Sequence, residues 1–322
     1  MHFDIFNGDA DGILSLLQLR KAHPQDSVLV TGVKRDIRLL DTVDVSDGDT
    51  LTVLDISMEK NQQGLHRLLP QAKQIFYADH HKSGDIPVSD KLEAHIDLDA
   101  NICTALIVDR YLQGQYHSWA ITAAFGDNLN AVAQRLSSLA GYSSEEAKQL
   151  EELGILLNYN GYGHHLDDLH YHPAELYQLL MEYESPFEVI SDLSSPFYSL
   201  RTGYQSDFQA VSELMPVYNS RYLSVIELPD AVFSRRISGV FGNYLANEFP
   251  DRAHIILTRN EDTSFRISLR APLNNKQGAG DICSDFPTGG GRAAAAGVNA
   301  LPEHILERFI ARTESYYSGK SV

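Results

Sequence analysis

The sequence predicts an α/β protein: an N-terminal, mostly parallel sheet flanked by helices, with a smaller C-terminal α/β domain and an interdomain cleft. Three observations carry this prediction. Apolar strand-like runs alternate with helical patterns through roughly the first hundred residues, the order that builds a parallel sheet covered on both faces. From about 103 to 190 the periodicity is helical throughout. Strand-like runs resume near 222, beyond a stretch with Pro186, Pro196 and several serines. The boundaries follow as a first domain over 1–190, a linker over 191–221 and a second domain over 222–322.

Taken in order, "HFDIF" reads as the first strand and "ADGILSLLQLRKAH" as the helix after it. "SVLVTG", "TLTVLDIS", "QIFYADHH" and "EAHIDL" are further strands, with a helical "NQQGLHRLL" between the second and third of these. Helices follow in "CTALIVDRYL", "HSWAITAAF", the Ser-capped "SSEEAKQLEELGILLNY" and "PAELYQLLMEY". The second domain reads as strand "YLSVIEL", helix "RRISGVFGNYLANEF", strands "HIILTRN" and "SFRISLRA", a glycine-rich "PTGGGRAAAAGVN" and an amphipathic "PEHILERFIART".

A length of 322 residues, 43% apolar and 21% charged, suits a globular chain of two domains. No apolar run is long enough to span a membrane, and the N-terminus lacks the basic-then-apolar form of a signal peptide. Cys103 and Cys283 stand far apart in sequence and read as buried thiols of a reducing cytoplasm. A formal charge of −17 repels a long polyanion and argues against a protein that tracks along DNA or RNA. A small anionic substrate, held by local cations and metals, stays open.

The acidic residues are not spread evenly. Asp9 and Asp11 follow the first strand, Asp55 sits near the end of "TLTVLDIS", and Asp79, His80 and His81 close "QIFYADHH". In a parallel sheet all of these fall at the C-terminal edge of the strands, where such folds build their sites. Each group alone has an ordinary explanation, since Asp-x-Asp-Gly before a helix is a common cap or turn. Together they would repel one another unless a cation lay between them, so the joint pattern points to a metal. Asn7 is the nearest polar candidate ligand upstream of Asp9.

"DADG", "LDIS", "ADHH" and "FGDN" match in order and spacing the acidic motifs of the DHH phosphoesterase superfamily. "TGGGRAAAAG" resembles the glycine-rich signature of the DHH-associated domain, so the likeness covers nearly the whole chain. The resemblance implies two divalent cations per active site, Mn²⁺ with Mg²⁺ or Co²⁺ as substitutes. Asp9 would bind one and Asp11 the other, Asp55 would bridge them, and His80 and Asp127 would complete the second site. His81 would contact the scissile phosphate, with Asp79 orienting a histidine behind the metals. The sequence departs from the family pattern where a histidine often precedes the first Asp-x-Asp: residues 5 to 8 here are Ile-Phe-Asn-Gly.

In the second domain, Gly289, Gly290 and Gly291 offer backbone N–H groups to a phosphate, and Arg292 adds a charge. Arg266 and Arg270 alternate on one strand face and are expected to line the cleft. The residues "NYNGYGHHLDDLHYHP" are either a cap over the site or a polar loop. The function expected is a metal-dependent phosphodiesterase, a phosphoric diester hydrolase that cuts short linear oligonucleotides such as pGpG or pApA to mononucleotides. The alternatives are a hydrolase of a cyclic dinucleotide, phosphoadenosine phosphate or polyphosphate, and a non-catalytic nucleotide sensor. With no further sensor or nucleic-acid-binding module in the sequence, the linear dinucleotide is favoured. Expected partners are a short nucleotide substrate, no long nucleic acid and no membrane, with the protein a cytoplasmic monomer or homodimer.

Overall fold

Five parallel strands in the order β2-β1-β3-β4-β5 form the first sheet of the computed structural model, which describes residues 1–319. They are β1 (His2–Phe6), β2 (Val28–Val30), β3 (Thr50–Leu54), β4 (Gln74–Asp79) and β5 (Leu92–Ile96). Register runs directly across the sheet, with Ile5 opposite Val30 and Val53, and Val53 opposite Tyr77. Strand order reverses between β1 and β3, which opens a crevice at their C-terminal ends. One face carries a core of Phe3, Ile5, Leu51, Val53, Ile75 and Tyr77, closed by Leu65 and Leu68 of α2 (Gln62–Leu68), after α1 (Ala10–Ala22) in the chain.

Helix α1 is buried from Ala10 to Arg20, so it is enclosed rather than amphipathic. It packs against α3 (Thr104–Tyr111) and α4 (His117–Gly126). After these come α5 (Asn130–Leu139), α6 (Ser144–Gly161), α7 (Pro173–Met181), α8 (Pro186–Ser191) and α9 (Pro196–Ser212). Ser143 caps α6 in a reciprocal box with Glu146, satisfying two amides that a helix start leaves unpaired. Proline opens α7, α8 and α9, a position that needs no N–H.

The stretch 191–221 expected as a linker is therefore mostly helix. Pro196 starts α9 instead of breaking it, and the division between the two compact units falls inside that helix, after Gly203. The second unit is a sheet in the order β10-β11-β9-β8-β7-β6. Its strands are β6 (Tyr218–Asn219), β7 (Leu223–Glu227), β8 (Ala253–Arg259), β9 (Phe265–Arg270), β10 (Gly289–Gly291) and β11 (Ala295–Leu301). Its helices are α10 (Val232–Glu248), α11 (Ala279–Ser284) and α12 (Leu306–Ser318). Ile255, Leu257, Ile267 and Leu269 point to one face and pack with Ile282 and Phe309.

On β8, His254 is buried, with its Nδ1 lacking a hydrogen-bond partner and its Nε2 3.4 Å from the Phe249 carbonyl. Burial pushes this imidazole down to about 4, and the Arg252 charge adds to the shift. A folded value below the ordinary 6.5 means the stabilisation is complete above pH 6.5 and is lost as pH falls toward 4. That loss is about 3 kcal/mol by pH 4. Urea unfolding of the wild type and of His254→Leu from pH 7 to 4 is expected to show this difference in slope; parallel curves would exclude it.

Candidate metal centre

The centre forms where β1, β3 and β4 end. Asp9 lies beyond β1 as the N-cap of α1, its Oδ1 accepting the amides of Asp11 (3.0 Å) and Gly12 (3.1 Å). Helix α1 thus begins with a carboxylate aimed at its positive end. Asp11, in the first turn of the helix, reaches instead to α3. Its two oxygens accept the amides of Thr104 and Ala105, each at 2.8 Å, and so cap a second helix. The thiol of Cys103 stands just before that helix start, fully buried, and burial followed by the Asp11 charge pushes its pKa well up.

Asp55 follows β3 with φ at 58°, in the left-handed region that Asp and Asn enter more readily than most residues. Its Oδ1 accepts from Thr104 Oγ1 at 3.1 Å and lies 3.3 Å from His80 Nε2. His80 Nδ1 stands 2.7 Å from the Ile102 carbonyl. A carbonyl only accepts, so Nδ1 carries a proton, and Nε2 faces Asp55 and, at 3.7 Å, Asp11. That is how a metal-binding histidine is held from behind.

His81 Nδ1 donates to Asp79 Oδ1 at 2.7 Å, and the Asp79 side chain is wholly buried. Burial alone would raise the Asp79 carboxyl; the His81 charge and hydrogen bond outweigh it and hold the group below the usual carboxylate range. Asp55, His80 and His81 place ligand atoms within 4.8 Å of one another.

Asp127 is half-buried at the C-terminal end of α4, the negative end of the helix dipole, where a carboxylate is disfavoured. Burial pushes Asp11 and Asp55 well above the carboxylate range. Like charge adds to this, from Asp55 on Asp11, from Asp9 on Asp55 and from Asp127 on both. Among the described residues no lysine or arginine bonds Asp11 or Asp55. Buried carboxylates gathered around one imidazole nitrogen are a donor set that fits a divalent cation.

Asp9 differs from the others. Lys34 Nζ stands 2.5 Å from its Oδ2 and 3.0 Å from Asn158 Oδ1, over the Tyr162 ring at 5.2 Å. Burial alone would raise Asp9, and the Lys34 charge reverses that to leave it lowered. The Asn7 amide is engaged at both ends: its Oδ1 accepts the Asp9 amide and its Nδ2 donates to the Lys34 carbonyl. Gly161 passes so near that a Cβ there would meet Asp9 Cα at 2.9 Å. Sequence reasoning missed Lys34, Asn158 and Thr104. Lys34 lies just beyond β2, and a strand order placing β2 beside β1 was the signal that would have found it.

The polar stretch 158–173 carries several hydrogen bonds within itself. The Tyr159 hydroxyl meets His170 Nε2 at 2.8 Å, Asn160 holds the backbone of His170 and Tyr171, and Asp168 accepts the amides of His164 and His165. Asn158 links it to the centre through Lys34.

In the second unit, Arg270 requires a correction. It is buried, donating to Asn243 Oδ1 at 2.5 Å, Ser268 Oγ at 2.9 Å and the Gly239 carbonyl at 3.1 Å. The face it shares with half-buried Arg266 is covered by α10, because Arg270 bonds Asn243 and Gly239 of that helix. Arg270 ties sheet to helix. The glycine-rich stretch forms the hairpin β10–β11, with Gly290 opposite Gly297. Gly291 has φ at 142° and a Cβ there would strike Ala296 at 2.5 Å, so the hairpin itself requires that glycine. Gly289 and Gly290 share the edge strand with it, and half-buried Arg292 follows.

No protein-family model matches the chain, and no curated protein matches it in sequence. Solved structures do match in fold. RecJ of Thermus thermophilus, in complex with Mn²⁺, is 17% identical with a TM-score of 0.65 over 99% of this chain and 52% of RecJ. The chain thus spans about half the length of that protein. The pGpG-specific phosphodiesterase PggH of Vibrio cholerae is 13% identical with a TM-score of 0.55, over 99% of this chain and 100% of PggH. An exopolyphosphatase-related protein of Bacteroides fragilis is 15% identical with a TM-score of 0.52, over 98% and 92%. The chain shares its fold with these proteins and with a DHH domain that is 10% identical at a TM-score of 0.62. Among the described residues no helix is long and apolar enough to cross a membrane.

Proposed function

We propose that the protein is a divalent-metal-dependent phosphodiesterase that hydrolyses short linear oligonucleotides, dinucleotides such as pGpG or pApA foremost, to mononucleotides. The observation that carries this is the buried set Asp11, Asp55 and His80, whose two carboxylates lie together with no lysine or arginine bonded to either among the described residues. With Asp127 these residues would hold Mn²⁺, or Mg²⁺ or Co²⁺ in its place. A bound divalent ion lowers the pKa of water and neutralises charge on the phosphoryl oxygens.

The remaining roles belong to the chain's own groups. His81, its Nδ1 proton fixed on Asp79, is suited to meet the scissile phosphate through Nε2. Thr104 holds Asp55 in its left-handed turn, and the Ile102 carbonyl holds the His80 ring through Nδ1. In the second unit, Arg292 and the edge strand Gly289–Gly291 are suited to hold another phosphate. The net charge of −17 supports a small substrate over a long polymer, and two buried thiols outside any disulfide suit a reducing cytoplasm.

The test is turnover of pGpG, pApA, a cyclic dinucleotide, polyphosphate and a strand of about 24 nucleotides with Mn²⁺ at fixed salt. The linear dinucleotides are expected to be cut fastest. Equal rates on the long strand would favour a processive nuclease instead, and a preference for polyphosphate would remove nucleotides from the reading.

A further inference from the structure

We infer that Lys34 is a built-in cation standing where one of two metals would otherwise sit, so that the centre binds a single divalent ion per chain. The inference rests on the metal-dependent reading above and deepens it. Lys34 is placed from several directions. Its amide donates to the Gly161 carbonyl at 2.8 Å, its own carbonyl accepts from Asn7 Nδ2 at 3.0 Å, and its ammonium bridges Asp9 and Asn158. The side chain is only 23% exposed, so the charge is held against Asp9 rather than swinging in water.

The donors around Asp9 are already divided. Its Oδ1 takes two amides of the helix start, and its Oδ2 takes the ammonium. A dication sharing Oδ2 would press against a positive charge with little water to screen it. Asn7, the upstream polar residue that might have served a metal there, holds backbone on both ends of its amide. Asp11, Asp55 and His80 show the opposite pattern, with no ammonium or guanidinium bonded to either carboxylate among the described residues. The two halves of the acidic cluster therefore balance their charge differently, one with a side chain and the other with a metal.

An ammonium does part of a metal's work. It offers three N–H groups, of which Asp9 and Asn158 take two, and the third can meet a phosphoryl oxygen. It does not lower the pKa of a bound water as a metal does, so that task falls to the single ion.

Metal-stripped protein is titrated with Mn²⁺, counting bound ions by calorimetry and by electron paramagnetic resonance. One Mn²⁺ per chain with the six-line spectrum of an isolated ion is expected. Two ions with a spin-coupled spectrum would overturn the inference and leave the phosphodiesterase reading standing; no binding at millimolar Mn²⁺ would overturn both. Lys34→Ala uncovers Asp9 and is expected to admit a second Mn²⁺, whereas Lys34→Arg keeps the charge and stays at one. A folded Lys34→Ala protein that still binds one ion would show that Lys34 is not what excludes the second. Should that variant fail to fold, the wild-type count decides alone.

Discussion

Asp55→Asn is expected to lower hydrolysis by about a thousandfold and, in the absence of metal, to make the protein more stable. The loss of rate follows from position, because Asp55 Oδ1 lies 3.3 Å from His80 Nε2 and 3.8 Å from His81 Nδ1. If Asp55 helps to hold a divalent ion as proposed, removing its charge forfeits several kcal/mol of transition-state stabilisation, and about 4 kcal/mol is a thousandfold. The gain in stability has the same origin. Asp55 is buried beside other carboxylates, and its charge raises the proton affinity of Asp11. Asparagine keeps the size, keeps an acceptor for Thr104 Oγ1 and tolerates the left-handed φ. Thermal melts in EDTA and in Mn²⁺ read both effects: the variant should melt higher than wild type in EDTA and gain little from Mn²⁺. A variant that retains turnover and its response to Mn²⁺ would remove Asp55 from the centre.

Arg20→Met is expected to destabilise the first unit by about 3–5 kcal/mol, on the order of 10 °C in melting temperature for a unit this size. Asp4 on β1 is wholly buried and accepts from Arg20 Nε at 2.8 Å and Nη2 at 2.5 Å. Burial alone would raise the Asp4 carboxyl, and the Arg20 hydrogen bonds and charge bring it below the usual range. Methionine leaves that carboxylate with Ser27 and the His2 ring beside it but no fixed positive partner. The double variant Asp4→Val, Arg20→Met removes both charges and should recover part of the loss, though Thr52 Oγ1 also loses its arginine donor. Urea unfolding of the three proteins separates the terms. A loss below about 1 kcal/mol for the single variant would mean that water reaches Asp4 and the pair behaves as a surface one.

Strands β1, β3 and β4 were legible because a parallel sheet buries both of its faces, leaving continuous apolar runs such as "TLTVL" and "QIFYA". The carboxylates were legible as well, since a charge that ends such a run stands out. Helix α5 was not: Ala133 and Ser137 are its buried residues, too small a stripe to show periodicity. Helix α9 hid behind Pro196, which looks like a breaker until it occupies a first turn. Strands β10 and β11 are largely glycine and alanine, poor strand formers that depend on β9 for their pairing. Arg270 was misread because alternation assigns a face without saying what covers it. Lys34 is 25 residues from Asp9 along the chain, and only the strand order makes them neighbours.

Cys103 adds a chemical consequence. A thiol beside a metal ordinarily invites soft ions such as zinc and copper, and it invites peroxide, both of which act on the thiolate. Here burial and the Asp11 charge keep the sulfur protonated. Before any cation binds, the carboxylates that would gather a hard ion thus also favour the protonated sulfur, the form least reactive toward soft ions and peroxide.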